Sequence, residues 1–286
     1  EIRETRPNTQ EQTQERTPYI RRKVPCAMTM AKDWRVDIAP LIFFASVSGL
    51  KTYYLVGYLQ ESHQLLDLID DPARPAGGHD ALDYYLAGQF SHTAYYITAL
   101  AFDMLIFYSL LVRRGAKSRP QGFWENIFPL ITVFVPMLGL TLMFIPEVRA
   151  HLPGYPQSLL RWLGERMPAF PFSMNMAGLV IGLLGAVFSI WAITHLRASF
   201  GLRAAVRELV TTGPYRRIRH PLYVGEIIHV FGVVILAATP AALCLFAVAV
   251  MLQAVRAKIE ERKFLASVPA YAEFRRNTGF LWPKLF

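Results

Sequence analysis

Cysteine is almost missing from this sequence. Only Cys26, in a polar head, and Cys244, inside an apolar run, carry thiols among 286 residues. The two are not expected to meet, and no Cys/His spacing suggests zinc or any other metal site. Charge is thin as well, with Asp, Glu, Lys and Arg together at 18%. The amino-terminal residues lack the apolar centre of a secretory signal, and neither an internal repeat nor a soluble domain is evident. What remains is apolar. Hydrophobic residues make up 53% and mean hydropathy is +0.27, and several runs come close to the ~20 residues that cross a bilayer core. The composition excludes an ordinary soluble domain and points to an integral membrane protein.

The net charge of +9 is not gathered on one soluble face, as a nucleic-acid binder would need. Basic residues cluster between the apolar runs, which fits orientation in the membrane and attraction to anionic lipid headgroups, so no nucleic-acid partner is expected. Six spans are predicted, over residues 38–59, 93–112, 127–145, 174–196, 221–236 and 242–255, giving an all-α polytopic fold. With Arg21, Arg22 and Lys23 in the cytoplasm, the basic loops 113–119, 197–219 and 258–276 all fall on that side. Both termini are then cytoplasmic. Three parts follow: a polar tail over residues 1–30 too poor in apolar side chains to order itself, three spans and an amphipathic surface connector over 31–170, and a core of three spans over 171–286.

Details within the spans carry their own expectations. Lys51 interrupts the first span and is expected to snorkel toward the nearby surface, although an ionisable residue inside a span is otherwise a functional candidate. Residues 60–89 read as an acidic, Pro/Gly-containing loop, and 146–169 as a connector with a short helix on the membrane surface. Gly178, Gly182 and Gly185 have the small-residue spacing of close helix packing, against a neighbouring helix or a second copy. Between residues 236 and 242 only AATPA intervenes, so the last two spans form a tight antiparallel hairpin.

Residues 209–226, LVTTGPYRRIRHPLYVGE, concentrate the candidate chemistry. A Gly-Pro turn leads through three arginines to His220-Pro221, where proline suits the first position of a helix. The positive end of that helix and the surrounding arginines would favour an anion. The hairpin then returns the chain to the same membrane face at Arg256, Glu260 and Glu261. Two readings are open for this loop: a grip on a polar cofactor, or a basic juxtamembrane loop that only fixes orientation.

At these residues the sequence resembles the isoprenylcysteine carboxyl methyltransferase family and its phospholipid methyltransferase relatives. The resemblance rests on G-x-Y at 213–215, R-H-P-x-Y-x-G at 219–225, the Glu260-Glu261 pair and Y-x-x-F at 271–274, and it extends over about 178–283. It implies a bacterial inner-membrane methyltransferase that uses S-adenosylmethionine in a cytoplasm-facing pocket and admits a lipidic or prenylated acceptor from the membrane side. Carried over by motif, Tyr215, His220, Pro221, Leu222, Tyr223 and Glu260 would contact the cofactor, helped by the backbone of Arg207, Glu208, Leu209 and Val210. Arg256 matches a substrate-contacting arginine. Where the family often has Phe-Gly, this chain has Val268-Pro269.

Acceptor chemistry separates the functional expectations. A carboxylate is already ionised at neutral pH and needs a cationic holder, for which Arg256 is the candidate. An amine arrives protonated and needs a base, Glu260 or Glu261. Carboxyl O-methylation of an isoprenylcysteine-like or other lipidic carboxylate is the leading expectation, with N-methylation of phospholipid headgroups as the alternative. An NADPH-dependent sterol-reductase-like enzyme and a non-catalytic scaffold are the remaining classes.

Overall fold

The computed structural model describes residues 35–69, 79–113, 115–116, 118–144, 158 and 172–284. Eight α-helices are named among them: α1 (Arg35–Ile69), α2 (His79–Val112), α3 (Gly122–Asn126), α4 (Phe128–Phe144), α5 (Phe172–Leu196), α6 (Pro221–Ala237), α7 (Pro240–Ser267) and α8 (Tyr271–Asn277). The described part of the fold is therefore all-α, with a single β-bridge between Ile218 and Gly279. Within α1, α2, α5 and α7 lie stretches long and apolar enough to cross a membrane, and α4 and α6 are shorter apolar helices. The described residues of the six expected spans are thus helical apart from the turn at Ile127. The polar tail, including Arg21 to Lys23, and nearly all of the 146–169 connector lie outside the described residues.

Two boundaries differ from expectation. Residues 60–89 are mostly helix, because α1 runs on to Ile69 and α2 starts at His79. The segment after residue 60, with three leucines among residues 61–69, propagates a helix that already exists, which costs far less than nucleating one. At the other end, α7 does not stop where its apolar run ends at 255 but continues to Ser267. Arg256, Glu260 and Glu261 therefore stand on α7 itself, one turn or so beyond its apolar run.

The central packing is α5 against α6. Gly178, Gly182 and Gly185 face Gly225, His229 and Gly232, and a methyl group added at Gly185 or Gly232 would run into the backbone of the other helix. This is close approach permitted by small residues, and it assigns the glycine face to a contact within the chain. The opposite side of α5 presents Val180, Leu184, Val187 and Trp191 as exposed apolar groups, one stripe at helical spacing that suits lipid. The α6–α7 hairpin is as tight as expected. Ala238 takes a left-handed conformation (φ 51°) to end α6, and Thr239 caps α7 by accepting from the amide of Ala242 at 3.1 Å.

Lys51 does not snorkel. Its side chain is 2% exposed and donates to Asp103 of α2 at 2.8 Å. A carboxylate in reach inside the bundle removes the need to carry the charge to the surface.

Candidate active site

The route into α6 begins at Gly213 (φ 58°), which opens a 3-10 turn over Gly213–Arg216. A side chain there would strike the ring of His195 at the end of α5, so glycine is required by both conformation and space. The turn buries Pro214 and Tyr215. Next, the backbone pairs with the C-terminal segment: the amide of Arg219 donates to Gly279 O at 2.9 Å, that of His220 to Phe280 O at 3.3 Å, and that of Gly279 to Arg217 O at 3.0 Å. His220 is then the N-cap of α6, with Pro221 at its first position as predicted. The imidazole stacks on Tyr223 (5.3 Å, 6° between planes) and meets Phe280 edge-on.

The two adjacent glutamates of α7 do different things. Neighbours on a helix point about 100° apart, and here each carboxylate faces a separate group. Glu261 accepts from Arg219 Nε at 2.5 Å, lies 3.3 Å from His220 Nε2 and forms a longer pair with Arg275 at 3.6 Å. Arg219 also donates to the carbonyls of Arg275 and Thr278 at 2.9 and 2.5 Å. Glu261 thus clamps the loop and the C-terminal segment onto α7. Glu260 turns instead toward a cavity, accepting from Tyr223 Oη at 2.7 Å and from Arg256 Nε at 3.3 Å.

Arg256 is 2% exposed. Besides Glu260 it donates through Nη2 to Leu202 O at 3.1 Å and Gly201 O at 3.4 Å, and its guanidinium lies 5.1 Å from the Tyr223 ring centre. Much of its donor capacity is spent inside the protein. It reaches the cavity wall, but as a braced cation.

The cavity is lined by Arg207, Glu208, Leu209, Val210, Tyr215, His220, Leu222, Tyr223, Arg256 and Glu260. Of the residues predicted for the site, Pro221 and the alternative base Glu261 are not on its wall: Pro221 is buried at the start of α6, and Glu261 faces Arg219 and His220. The structure therefore brings together the two ends of the hairpin and the 207–210 segment. Burial, helped by the carboxylates of Glu260 and Glu226, raises the Tyr215 phenol well above its ordinary value. It remains a neutral donor at any physiological pH. Burial likewise pushes up the Tyr271 phenol, with Glu261 adding to the effect.

Sequence reasoning missed part of the wall. Residues 200–206 form an irregular strip, bent at Leu202 and Arg203, in which Phe200, Leu202, Ala204 and Val206 are buried while the residues between them are less so. Its backbone is pinned by Ala204 N donating to Glu125 O at 3.0 Å and Ser118 N donating to Val206 O at 3.3 Å. The period-2 alternation is visible in FGLRAAV and was the available signal. Lys263, Phe264, Tyr271 and Phe274 also line the cavity. Lys263 pairs with Glu125 and donates to Arg119 O at 2.8 Å, tying the α2–α4 connection to α7.

Residues 174–271 match the family model described as phospholipid methyltransferase. That segment holds the R-H-P element, both glutamates, the α6–α7 hairpin and every residue of the cavity wall except Phe274. The cobalt-zinc-cadmium resistance protein CzcN of Cupriavidus metallidurans is 29% identical over 126 residues, 44% of this chain and 55% of that protein. The nickel-cobalt-cadmium resistance protein NccN of Alcaligenes xylosoxydans is 30% identical over 118 residues, 39% of this chain and 53% of that protein. The chain spans about half the length of these curated relatives. A solved eukaryotic intramembrane Ras methyltransferase, an isoprenylcysteine carboxyl methyltransferase, aligns over 89% of this chain and 98% of its own at 15% identity and a TM-score of 0.39, too distant a superposition to transfer residue positions.

Proposed function

We propose that this chain is an S-adenosylmethionine-dependent methyltransferase that modifies the polar end of a lipidic acceptor at the cytoplasmic face of a membrane. One observation carries the reading. Tyr223 from one end of the hairpin and Arg256 from the other meet on the carboxylate of Glu260, on the wall of a cavity within the segment that matches the methyltransferase family.

The wall suits the cofactor's mixed chemistry. Arg203 adds positive charge to the wall, Glu260 offers an acceptor for an ammonium or a ribose hydroxyl, and Tyr215 and Tyr271 offer ring surface to an aromatic base. When bound, the cofactor supplies an electrophilic methyl group. The residues around it have to align a nucleophile with that methyl and keep water out. Tyr223 and Arg256 fix the Glu260 carboxylate, and the 200–206 strip closes one side.

The test uses purified protein with methyl-labelled donor and membrane lipids or prenylcysteine analogues. Base-labile labelled product supports carboxyl O-methylation, and base-stable labelled lipid supports N-methylation. Absence of labelled product from either acceptor, together with no calorimetric binding of S-adenosylmethionine, would sink the proposal.

A further inference from the structure

The connection between α2 and α4 carries an aromatic ridge that no described part of the chain covers. Gly122 (φ 62°) opens α3, and none of the five residues of that helix is buried. Phe123, Trp124 and Ile127 are exposed, Trp124 to 59%. Phe123 meets Trp124 edge-on at 5.5 Å, and Trp124 lies 5.2 Å from Phe128 between ring centres. The amide of Ile127 donates to Phe123 O at 2.9 Å and that of Ile131 to Ile127 O at 3.1 Å, so helical register runs through the turn from α3 into α4. In that register Trp124, Ile127, Val135 and Leu138 share one face, and all four are exposed.

The polar groups of the same connection are tied to the cavity wall. Glu125 O accepts from the amide of Ala204 at 3.0 Å, and Asn126 Oδ1 accepts from Arg203 Nη1 at 3.3 Å. Lys263 reaches from α7 to the Glu125 carboxylate and to Arg119 O, and the amide of Ser118 donates to Val206 O at 3.3 Å. Asn126 also donates to the carbonyls of Pro120 and Gly122 at 3.2 and 3.1 Å, which fixes α3 against its own approach. Arg203, Ala204, Val206 and Lys263 all line the cavity. Whatever holds the ridge in place therefore also holds the 200–206 strip, which belongs to no helix.

We infer that the ridge is a lipid anchor: Phe123, Trp124 and Ile127 sit in the headgroup region of the bilayer that the chain spans, and this footing keeps the 200–206 strip against the cavity. Lipid is the occupant because the ridge continues the exposed apolar face of α4, itself one of the apolar segments of the bundle. A Trp–Phe cluster at the end of such a helix suits the interface, where the rings meet acyl chains and the indole N–H meets water or a headgroup oxygen. Arg119, exposed on the same connection, adds a positive charge that suits lipid phosphate. The linkage is reciprocal, so anchoring of the ridge and closure of the strip stabilise each other. This goes beyond the methyltransferase reading and needs no bound cofactor.

The test uses the purified full chain in phospholipid nanodiscs. The chain has five tryptophans, so the emission of Trp124 is taken as the difference between wild type and Trp124→Phe. Phospholipid brominated near the headgroup end of its acyl chains is expected to quench it more than phospholipid brominated near the chain terminus, and aqueous acrylamide to leave it unquenched. Hydrogen exchange of the peptide that holds Ala204 reads the linkage. Trp124→Ala should speed that exchange by about tenfold, since the lost burial of one aromatic side chain corresponds to at least that factor. Alanine is the better helix former, so the loosening reports the lost ring rather than a weakened α3. Trp124→Phe, which keeps an apolar ring, should stay within about twofold of wild type, and exchange in α5 and α6 should not change in either variant. Acrylamide quenching without bromolipid quenching overturns the anchor. Shielding from both quenchers assigns the ridge to another part of the chain or to a second copy, and overturns it as well. Exchange at Ala204 that Trp124→Ala leaves unaltered, or accelerates together with α5 and α6, overturns the linkage. None of these readouts involves S-adenosylmethionine, so their failure leaves the methyltransferase reading in place.

Discussion

The hydroxyl of Tyr223 donates to the carboxylate of Glu260 at 2.7 Å, joining residues 37 apart in sequence across the α6–α7 hairpin. Because Arg256 approaches the same oxygen, Glu260 is held from both helices. Tyr223→Phe keeps the ring, its stacking on His220 and its face toward Arg256, and removes only the hydroxyl. Affinity for S-adenosylmethionine is expected to fall by about threefold to tenfold, the range for one hydrogen bond to a charged group in a partly screened site. Glu260→Ala should abolish binding. Calorimetry reads both, and an unchanged affinity in Glu260→Ala would show that the cavity serves some other ligand.

Glu261 has the opposite profile. Its partners Arg219, His220 and Arg275 belong to the loop before α6 and to the C-terminal segment, so its loss should detach structure before it alters chemistry. Glu261→Ala is expected to destabilise by about 3–5 kcal/mol, because it strands Arg219 in a largely buried place. Limited proteolysis near Arg275 and Arg276 should accelerate. The double variant with Arg219→Ala should be less damaging than the two single effects added together. Full additivity in thermal unfolding would mean that the pair does not act as a unit.

The glycines of α5 and α6 give a graded prediction. A methyl group at Gly182 would find its nearest atom at 3.8 Å, an ordinary contact, whereas at Gly185 it would enter the backbone of His229 and at Gly232 that of Gly182. Gly182→Ala should therefore be nearly neutral. Gly185→Ala and Gly232→Ala should each cost about 1–3 kcal/mol, as overpacking does where backbone has to move. Thermal unfolding in detergent orders the three, and a Gly182→Ala variant as unstable as Gly185→Ala would contradict the packing described.

How much of this was legible depended on where the partners lie. His220-Pro221 announces a helix start because proline's fixed φ is a local constraint, and the break at 237–240 announces a hairpin because so short a connection leaves no other course. The glycines of α5 advertise close packing, but only the structure supplies Gly225, His229 and Gly232 as the opposing surface. The division of labour between Glu260 and Glu261 was hidden, since both carry one charge and only helix phase separates their targets. The pairing of Arg219 with Gly279 was hidden for a different reason. A bridge across 60 residues, made by backbone groups that every residue carries, leaves no mark on side-chain identity.

Lys51 was misjudged for want of Asp103, 52 residues away. The pair yields a prediction that separates the two pictures of this lysine. If Lys51 snorkelled, Asp103→Leu would leave its charge in water at the membrane surface and cost little. With both side chains at 2% exposure and a 2.8 Å contact, removing either partner leaves an uncompensated charge among apolar helices. Lys51→Met and Asp103→Leu are each expected to destabilise by about 3–5 kcal/mol, while the double variant should recover most of that loss, because apolar side chains of similar volume replace a buried pair at little net cost. Thermal unfolding of the four proteins in one detergent measures the cycle. A double variant as unstable as the sum of the singles would mean that Lys51 and Asp103 do not compensate each other, and that α1 and α2 are held together by apolar packing alone.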